Sequence, residues 1–425
     1  MENLFDKFYE TKGVSIDSRN IHKDCLYIAL KGANFNGNQF SIEAIEKGAK
    51  YAIVDEKEFA NEKTIFYVEN ALKFLQLLAN YHRNKFNIPF IGITGSNGKT
   101  STKELINAVL TKKYNVLCTS GNLNNHIGVP LTVLQLNHQH ELAIIEMGAN
   151  KHGDIAELCE IVEPNFGIIT NIGKAHLEGF INFEGVLKTK SELYESVKSK
   201  NGKIVINNDD EVLKNQAQKY GLSSFSYASI SNADIRGKLV KLTPFVQLKW
   251  ESDDYVSETI ETKMVGKYNF YNFLAAVSFG LLFEVTPEDI NQALETYTPT
   301  NNRSQVSKTN LNTLIIDCYN ANPSSMKVAL ESFLEIDHPN KIALIGDMFE
   351  LGEDSKAEHQ KIYQYCIDNK IHFKTIGKYF KEHNPEGFID INEAKDFIMK
   401  NPIKNALILL KGSRGIALEK LIDNL

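Results

Sequence analysis

The stretch from residue 90 to residue 100, FIGITGSNGKT, constrains the fold of this chain more than any other feature. An apolar segment, Phe90–Thr94, runs into a glycine-rich turn that ends in Gly98-Lys99-Thr100, and a helix-compatible run follows at Ser101–Leu110. Glycines let the backbone wrap closely around an anion, and the N–H groups at the start of the helix point at it. This order of strand, glycines, lysine, hydroxyl and helix predicts a phosphate-binding loop within an α/β domain.

The same loop indicates which residues would bind a nucleotide. Lys99 would reach the outer phosphates, and the Thr100 hydroxyl would bind Mg²⁺. The remaining predicted nucleotide-binding residues of the loop are Thr94, Gly95, Ser96, Asn97, Gly98 and Ser101. The standard motif has a further glycine where this chain has Ile93, so an ordinary strand-to-helix turn is the alternative.

Length and composition limit the class of protein. A chain of 425 residues with 43% hydrophobic and 24% charged residues predicts two to four globular domains, and a net charge of -6 argues against nucleic acid as the main partner. Five scattered cysteines without a CxxC pair predict buried thiols in a reducing cytoplasm. The longest apolar run, Phe273–Phe283, is too short to span a bilayer and predicts a buried core helix without membrane insertion.

The alternation of apolar strands with helical segments predicts an α/β protein with parallel sheets. Two junctions containing proline, at 87–89 and 298–302, divide the chain. The predicted domains are a small N-terminal α/β domain (1–86), a central P-loop domain with a parallel sheet (87–297) and a C-terminal Rossmann-like domain (298–425). Residues 234–263 alternate polar and apolar side chains and predict an antiparallel ribbon at a sheet edge.

Two residues of the central segment follow predicted strands. Glu146 ends the apolar strand 142–145, and His176 comes after the strand 166–170. Ligands of open α/β sheets bind at the carboxyl ends of strands, and a carboxylate there suits Mg²⁺. Glu146 is therefore a candidate metal ligand, with a solvated strand-end acid as the alternative. His176 would lie near a second cation or simply at the surface.

Three other polar positions remain ambiguous from the residues alone. Lys188 and Lys190 have the pattern of ordinary solvated lysines on a helix. Asn272 precedes the predicted core helix, and it would either cap that helix or hydrogen-bond a nucleotide base. The acidic run at 207–210 has the composition of a helix cap.

The C-terminal domain carries polar clusters after its predicted strands. Because the carboxyl ends of parallel strands share one sheet edge, these clusters predict a ligand-binding rim, and arginines there suit a carboxylate or a phosphate. A solvated rim with helix caps is the alternative. The clusters contain Arg303, Asp317, Tyr319, Asn320, Asn322, Lys411, Ser413 and Arg414.

Taken together, the segments 94–100, 146–148 and 171–178 and the pair Asn269 and Asn272 resemble the motifs of the Mur ligases. These are ATP-dependent ligases that build the peptide stem of bacterial cell-wall precursors, and the displaced glycine of the loop is that family's form. Within the family, other segments are similar to the member that joins D-alanyl-D-alanine to UDP-N-acetylmuramoyl-tripeptide. They are residues 17–19, 29–40, 121–131, 317–326, 346–352 and 411–414.

The resemblance implies more than the residues alone indicate. It implies two Mg²⁺ ions, one bound by Thr100 and Glu146, the other by His176 and a carbamate on Lys190. ATP would also contact Asn269, Asn272, Arg303 and Asn320, and the catalytic residues would be Lys99, Lys190 and His176. The implied substrate-binding residues are Ser18, Arg19, Lys31, Asn124, Asn125, Asp317, Tyr319, Asn322, Lys411, Ser413 and Arg414.

The implied reaction phosphorylates the tripeptide carboxylate, and the amine of the dipeptide then displaces phosphate. We expect a cytoplasmic monomer. Departures from the family pattern are Asn38, where histidine is frequent, His126, where glutamate is frequent, and 302–304, where Gly-Arg is usual. Alternative functions are another Mur ligase or a folylpolyglutamate synthase, and a P-loop ATPase or regulator that hydrolyses ATP without an acceptor.

Overall fold

The computed structural model describes residues 2–61, 63–173, 177–180, 182–300 and 302–425. Within these ranges, three successive parts of the chain each form a mainly parallel β-sheet with helices packed against it, and a short hairpin accompanies the first sheet. The α/β fold class predicted from the sequence is therefore confirmed. None of the described helices is long and apolar enough to cross a membrane.

The N-terminal part forms a parallel sheet with strand order β1-β2-β5-β6, and β3 and β4 form the hairpin. Its last helix begins after Asn70, whose side chain accepts the backbone N–H of Lys73. The elements are α1 (Glu2–Tyr9), β1 (Val14–Ser15), β2 (Leu26–Ile28), β3 (Lys31–Gly32), β4 (Phe35–Asn36), α2 (Ser41–Glu46), β5 (Tyr51–Val54), β6 (Ile65–Tyr67) and α3 (Ala71–Arg83).

The central part forms the largest sheet, with strand order β15-β14-β13-β12-β11-β10-β7-β9-β8 and β16 paired to β14. Strands β14 to β16 add the antiparallel edge that was predicted for residues 234–263. The elements are β7 (Phe90–Thr94), α4 (Lys99–Leu110), β8 (Val116–Cys118), α5 (Gly128–Val133), β9 (Leu142–Glu146), α6 (Asp154–Val162), β10 (Phe166–Ile169), α7 (Leu177–Phe180), α8 (Phe183–Ser199), β11 (Lys203–Asn207), α9 (Glu211–Tyr220), β12 (Ser223–Ala228), β13 (Ile235–Lys241), β14 (Gln247–Ser252), β15 (Tyr255–Val256), β16 (Ile260–Glu261), α10 (Asn269–Leu282) and α11 (Pro287–Thr296).

The position of β7 in this sheet explains where a ligand can bind. Strand β7 lies between β9 and β10, with Ile93 opposite Glu146 and Thr94 opposite Ile169. The loops that follow these three parallel strands consequently emerge at one edge of the sheet. The predicted core helix is α10, which packs against α4 on one face of the sheet.

The C-terminal part forms a sheet with strand order β17-β18-β21-β19-β20, in which β17 is antiparallel. The last element is a 3-10 helix, Leu418–Asn424, which follows Ala417 in a left-handed conformation with φ of 59°. The elements are β17 (Gln305–Lys308), β18 (Thr313–Asp317), α12 (Pro323–Glu335), β19 (Lys341–Gly346), α13 (Ser355–Asp368), β20 (Phe373–Ile376), α14 (Lys378–Lys381), α15 (Ile391–Lys400) and β21 (Leu407–Lys411).

Helix α3 fixes the N-terminal part to the end of α6. Arg83 donates from Nε to the carbonyl of Val162 at 2.7 Å and from Nη2 to the carbonyl of Glu163 at 3.1 Å. Asn80 donates to the carbonyl of Glu160 at 2.8 Å. These contacts satisfy carbonyl groups that a helix C-terminus leaves without partners. They hold α3 against the helix that begins beside the loop after β9.

We expect Arg83→Ala to lower the thermal midpoint of unfolding by about 4 °C, because it leaves the carbonyls of Val162 and Glu163 without their guanidinium donor. The guanidinium also lies 4.1 Å from the centre of the Phe90 ring, a contact that the substitution removes. Differential scanning calorimetry provides the measurement. Arg236→Ala is the control, because Arg236 forms an exposed ion pair with Glu251 at 2.8 Å and should matter less. Equal losses in both variants would contradict a stabilising role of the α3–α6 contact.

Candidate active site

A cavity of about 680 Å³ opens where the loop after β7 meets the C-terminal part of the chain. Many of the residues predicted from the sequence line it, from both the central and the C-terminal parts. They are Ser96, Asn97, Gly98, Lys99, Thr100, Ser101, Asn124, Asn125, Glu146, Asn272, Arg303, Asp317, Tyr319, Asn320, Asn322, Lys411 and Arg414.

The other predicted residues lie elsewhere. Ser18, Arg19 and Lys31 belong to the N-terminal part, outside the lining of this cavity. The side chains of Thr94, Asn269 and Ser413 are buried, and Lys190 is buried on α8. His176 lies outside the described residues.

Two glycines give the loop its shape. Gly95 and Gly98 have φ of 145° and 80°, a region that side-chain-bearing residues rarely adopt. A Cβ atom on Gly95 would lie 2.0 Å from Thr170 Oγ1, and one on Gly98 would lie 3.0 Å from Asn272 Oδ1. Ile93, where the standard motif has glycine, is a fully buried residue of β7. The loop is thus shaped by its two remaining glycines.

The side chain of Lys99 folds back onto its own loop. Its ammonium donates to the carbonyl of Gly95 at 2.7 Å and is 3.4 Å from the carbonyl of Ser96. Burial lowers the pKa of Lys99, and Arg303 lowers it further, whereas Glu146 and Glu350 act in the opposite direction. The carbonyl partners are neutral, so phosphate oxygens entering the loop would offer this ammonium a stronger interaction.

Glu146 has one satisfied and one unsatisfied carboxylate oxygen. The side chain is only 1% exposed, and Oε1 accepts hydrogen bonds from Thr100 Oγ1 at 3.1 Å and from Asn124 Nδ2 at 2.7 Å. Oε2 is buried and has no hydrogen-bond partner among the described residues. A buried carboxylate oxygen without a partner is costly, and Mg²⁺ prefers such oxygen ligands. The arrangement therefore suits a cation between Glu146 and the loop.

Lys190 differs from the solvated helix lysine that its local sequence indicates. It is 2% exposed, and its ammonium lies 5.6 Å from the centre of the Phe180 ring. Burial lowers the pKa of Lys190 well below 10.5, and the nearby charge of Lys99 acts in the same direction. Lys188, two residues earlier, is exposed as predicted. The solvated interpretation was correct for Lys188 and wrong for Lys190.

Glu192 fixes α8, which carries Lys190, to the start of α6. Its carboxylate accepts the backbone N–H groups of Gly153 at 2.9 Å and Ala156 at 2.8 Å, and it lies 2.8 Å from His152 Nδ1. Glu192 thereby occupies the N-terminus of α6, where a carboxylate is favoured. Sequence reasoning missed this residue, because nothing in its local pattern indicates a partner 36 or more residues away.

The amide of Asn272 is hydrogen-bonded at the edge of the cavity. Its Oδ1 accepts from Thr102 Oγ1 at 3.0 Å, and its Nδ2 donates to Asn269 Oδ1 at 2.9 Å. Asn272 lies within α10, whose N-cap residue is Tyr268, so the interpretation of Asn272 as a helix cap was wrong. The run at 207–210 does contain a cap, since Asp210 accepts two N–H groups of α9.

The C-terminal part contacts the phosphate loop directly. Asn97 donates to Ser324 Oγ at 3.2 Å and accepts from Asn322 Nδ2 at 2.8 Å. Asn322 is also the N-cap of α12, as the alternative interpretation of this rim predicted. A second contact joins Asn269 Nδ2 to Ser304 Oγ at 3.0 Å. The two parts of the chain therefore enclose the cavity from opposite sides.

The rim predicted in the C-terminal part is densely charged. Lys411 is 3% exposed, lies 3.0 Å from Asp317 Oδ2 and donates to the carbonyl of Asn320 at 2.7 Å. The guanidinium carbons of Arg303 and Arg414 lie 4.0 and 5.5 Å from the centre of the Tyr319 ring. An aromatic face holds cations by electrostatic attraction. Tyr319 thus stacks with both arginines at the cavity.

Three family models match the chain. They are described as "Mur ligase family, catalytic domain" for residues 10–83, "Mur ligase middle domain" for 93–280 and "Mur ligase, glutamate ligase domain" for 302–414. UDP-N-acetylmuramoyl-tripeptide–D-alanyl-D-alanine ligase of Bacillus subtilis is 32% identical over 434 residues, covering 97% of this chain and 93% of the relative. The enzyme of the same name from Rickettsia prowazekii is 32% identical, covering 96% and 94%.

Solved structures show the same similarity. A crystal structure of MurF from Acinetobacter baumannii superposes with a TM-score of 0.90 at 28% identity, covering 100% of this chain and 98% of the other. MurF ligase from Thermotoga maritima, crystallised in complex with ADP, superposes with a TM-score of 0.86 at 26% identity and the same coverage. The similarity therefore extends over all three sheets.

Proposed function

Because this chain belongs to the Mur ligase family, we propose that it joins D-alanyl-D-alanine to UDP-N-acetylmuramoyl-tripeptide at the expense of ATP, in peptidoglycan precursor synthesis. Relatives of that name match nearly the whole chain. The observation that carries the proposal is the buried Glu146 Oε2, which lacks a partner among the described residues and adjoins the phosphate loop. The limits 1–86, 87–297 and 298–425 remain our proposal for the domains.

The loop after β7 would bind the phosphates of ATP. Because Gly95 and Gly98 carry no side chains, the phosphates could approach the backbone of this loop closely. Lys99 would exchange its neutral carbonyl partner for phosphate oxygens. Asn272 and Arg303 line the same cavity, which supports the nucleotide contacts expected of them. The ADP complex of the Thermotoga maritima protein also supports a nucleotide in this fold.

Glu146 and Thr100 would hold Mg²⁺. The unsatisfied Glu146 Oε2 fits this ion, and the Thr100 hydroxyl lies within 3.1 Å of the same carboxylate. When bound, the ion supplies positive charge that offsets the negative charge of the transferring phosphoryl group. Asn124 keeps the carboxylate in place through its hydrogen bond to Oε1.

Lys190 would carry a carbamate that binds a second Mg²⁺. A buried amine fits this modification, because formation of a carbamate on the side-chain nitrogen would remove its positive charge. The lowered pKa of Lys190 supports the same assignment, since CO₂ reacts with the neutral amine. The proposed role of His176 at this ion stays a prediction.

The reaction would take place across the cavity between the two parts of the chain. The tripeptide carboxylate attacks the γ-phosphorus of ATP, ADP leaves, and an acyl phosphate forms. The amine of the dipeptide then attacks the acyl carbon and loses a proton. The bond between the acyl carbon and the phosphate oxygen breaks, and phosphate leaves. Contacts of Asn97 with Asn322 and Ser324 would limit access of water, which otherwise hydrolyses the acyl phosphate.

The N-terminal domain would bind the nucleotide-sugar end of the substrate through Ser18, Arg19 and Lys31. Lys31 lies 3.0 Å from both Asp55 and Glu56, and Arg19 is paired with Asp17 at 2.8 Å. Asn38, where the family often has histidine, is fully buried and donates to Asp55 Oδ1 at 2.8 Å. At this position, the Asn38 side chain therefore hydrogen-bonds to a residue of its own domain. A cytoplasmic monomer remains our expectation.

The proposal predicts that phosphate release depends on both substrates. Purified protein with ATP and Mg²⁺ should release phosphate rapidly only when UDP-N-acetylmuramoyl-tripeptide and D-alanyl-D-alanine are both present. Release is measured with each substrate omitted in turn, and the peptide product is identified by mass spectrometry. Glycine and L-glutamate replace the dipeptide as control acceptors, since other ligases of this fold use a single amino acid. Phosphate release at the full rate without an acceptor would instead indicate an ATPase or regulator.

A further inference from the structure

The segment 347–352 follows β19 and contributes Glu350 to the cavity. Glu350 has a left-handed backbone with φ of 64°, a conformation that a residue with a side chain adopts only when its surroundings hold it. Glu350 and Lys99 line the same cavity, and the charge of Glu350 acts to raise the pKa of Lys99. The contacts that hold this segment therefore determine where the Glu350 carboxylate lies in the cavity.

Asp347 attaches the segment to α14. Its carboxylate accepts the backbone N–H groups of Tyr379 at 3.0 Å and Phe380 at 2.9 Å, and the residue is 2% exposed. Gly377 permits this approach, because a Cβ atom there would lie 2.2 Å from the carboxyl group. Asp347, the first residue after β19, is thus held to α14 by its side chain.

Met348 attaches the segment to α13. Its backbone N–H donates to His359 Nε2 at 3.0 Å, and His359 Nδ1 lies 2.7 Å from the carbonyl of Ser355. An imidazole that accepts at Nε2 and donates at Nδ1 is neutral, and burial lowers the pKa of His359 accordingly. His359 is fully buried, so its contribution to the site is made through Met348.

Ser413 joins this segment to two other strand-end loops. Its hydroxyl accepts the backbone N–H of Phe349 at 3.0 Å and lies 3.4 Å from the carbonyl of Ala321, while its own N–H donates to the carbonyl of Asp347 at 3.0 Å. Ser413 is 2% exposed and lies outside the lining of the cavity, although the sequence predicted a substrate contact. It connects the loops after β18, β19 and β21.

The residues that follow these anchors carry opposite charges at the cavity. Glu350 comes directly after Phe349, and Arg414 comes directly after Ser413. The acceptor dipeptide of the proposed function has an ammonium at one end and a carboxylate at the other. A carboxylate and a guanidinium on two interlocked loops match these two termini.

We propose that Ser413 and His359 are positioning residues that hold Glu350 and Arg414, so that Glu350 binds the ammonium and Arg414 the carboxylate of the acceptor. The identity of the acceptor rests on the proposed function. The recognition of a zwitterion by this pair holds for whichever amino acid or dipeptide the enzyme accepts. Neither positioning residue contacts the reacting atoms.

Ser413→Ala tests the proposal, because it removes the acceptor for the Phe349 N–H and leaves the cavity lining unchanged. We expect the KM for the dipeptide to rise about threefold to tenfold, as for the loss of one buried hydrogen bond, while the KM for ATP stays unchanged. Ser278→Ala is the matched control, because Ser278 is also buried but its hydroxyl donates to the Leu274 carbonyl of its own helix, 2.8 Å away. An unchanged dipeptide KM, or an equal rise for ATP, would overturn the proposal.

Substitutions at His359 and Glu350 separate positioning from folding. His359→Gln keeps an acceptor for the Met348 N–H and should stay close to wild type, whereas His359→Leu should behave like Ser413→Ala. Glu350→Gln should weaken the dipeptide but not N-acetyl-D-alanyl-D-alanine, a competitor without an ammonium. Equal weakening of both ligands would refute the ammonium contact. If wild type uses another zwitterionic acceptor, the proposed function fails, and the same KM comparisons with that acceptor still decide this proposal.

Discussion

Lys190→Ala is expected to reduce kcat by about a thousandfold, the scale of losing a group that stabilises charge in phosphoryl transfer. Added bicarbonate, or a short carboxylic acid such as acetate or propionate, should restore part of the activity. The reason is geometric, because truncation at a buried position leaves a cavity that a small carboxylate can enter. Phosphate release at saturating substrates, with and without the acid, provides the measurement.

Lys188→Ala is the matched control, since this exposed lysine lies on the same helix and should lose little activity. Binding of CO₂ can be observed without turnover. Wild-type enzyme in ¹³C-bicarbonate should show a carbamate resonance that is missing from Lys190→Ala and retained in Lys188→Ala. Full activity of Lys190→Ala would refute the carbamate assignment, and so would a resonance that survives the substitution.

The contrast between these two lysines illustrates the limits of sequence reasoning for this protein. Local pattern treats Lys188 and Lys190 alike, and only the resemblance to the Mur ligases distinguished them. Their difference arises because α8 packs against α6 and α7, so that one face of the helix is buried. Burial of this kind depends on elements far apart in the chain, which a local pattern does not contain.

Other features were predictable because their causes are local or topological. The phosphate loop is specified by residues that follow one another in the chain, and Glu146 could be placed because the ends of parallel strands share a sheet edge. Ser413 shows where this rule stops. The rule indicated the correct loop, but it does not state which side chains of the loop point into the cavity and which hold neighbouring loops together.

The second large effect is expected for Glu146→Gln. Glutamine preserves the size of the side chain and an acceptor for Thr100 and Asn124, but it removes the negative charge that we propose holds Mg²⁺. We expect kcat/KM to fall about a hundredfold or more and the Mg²⁺ requirement to rise. Magnesium titrations of phosphate release provide the measurement. Glu160→Gln, on the exposed face of α6, is the control and should titrate like wild type.

Thermal unfolding distinguishes this explanation from a general loss of structure. Without Mg²⁺, Glu146→Gln should unfold at a higher temperature than wild type, because an ionised oxygen without a partner in the described residues is costly to bury and a neutral amide costs less. Adding Mg²⁺ and a non-hydrolysable ATP analogue should raise the unfolding midpoint of wild type more than that of the variant. A ligand stabilises the folded state more when it binds that state more tightly. A variant that is less stable than wild type without Mg²⁺ and equally stabilised by it would contradict a metal site at Glu146.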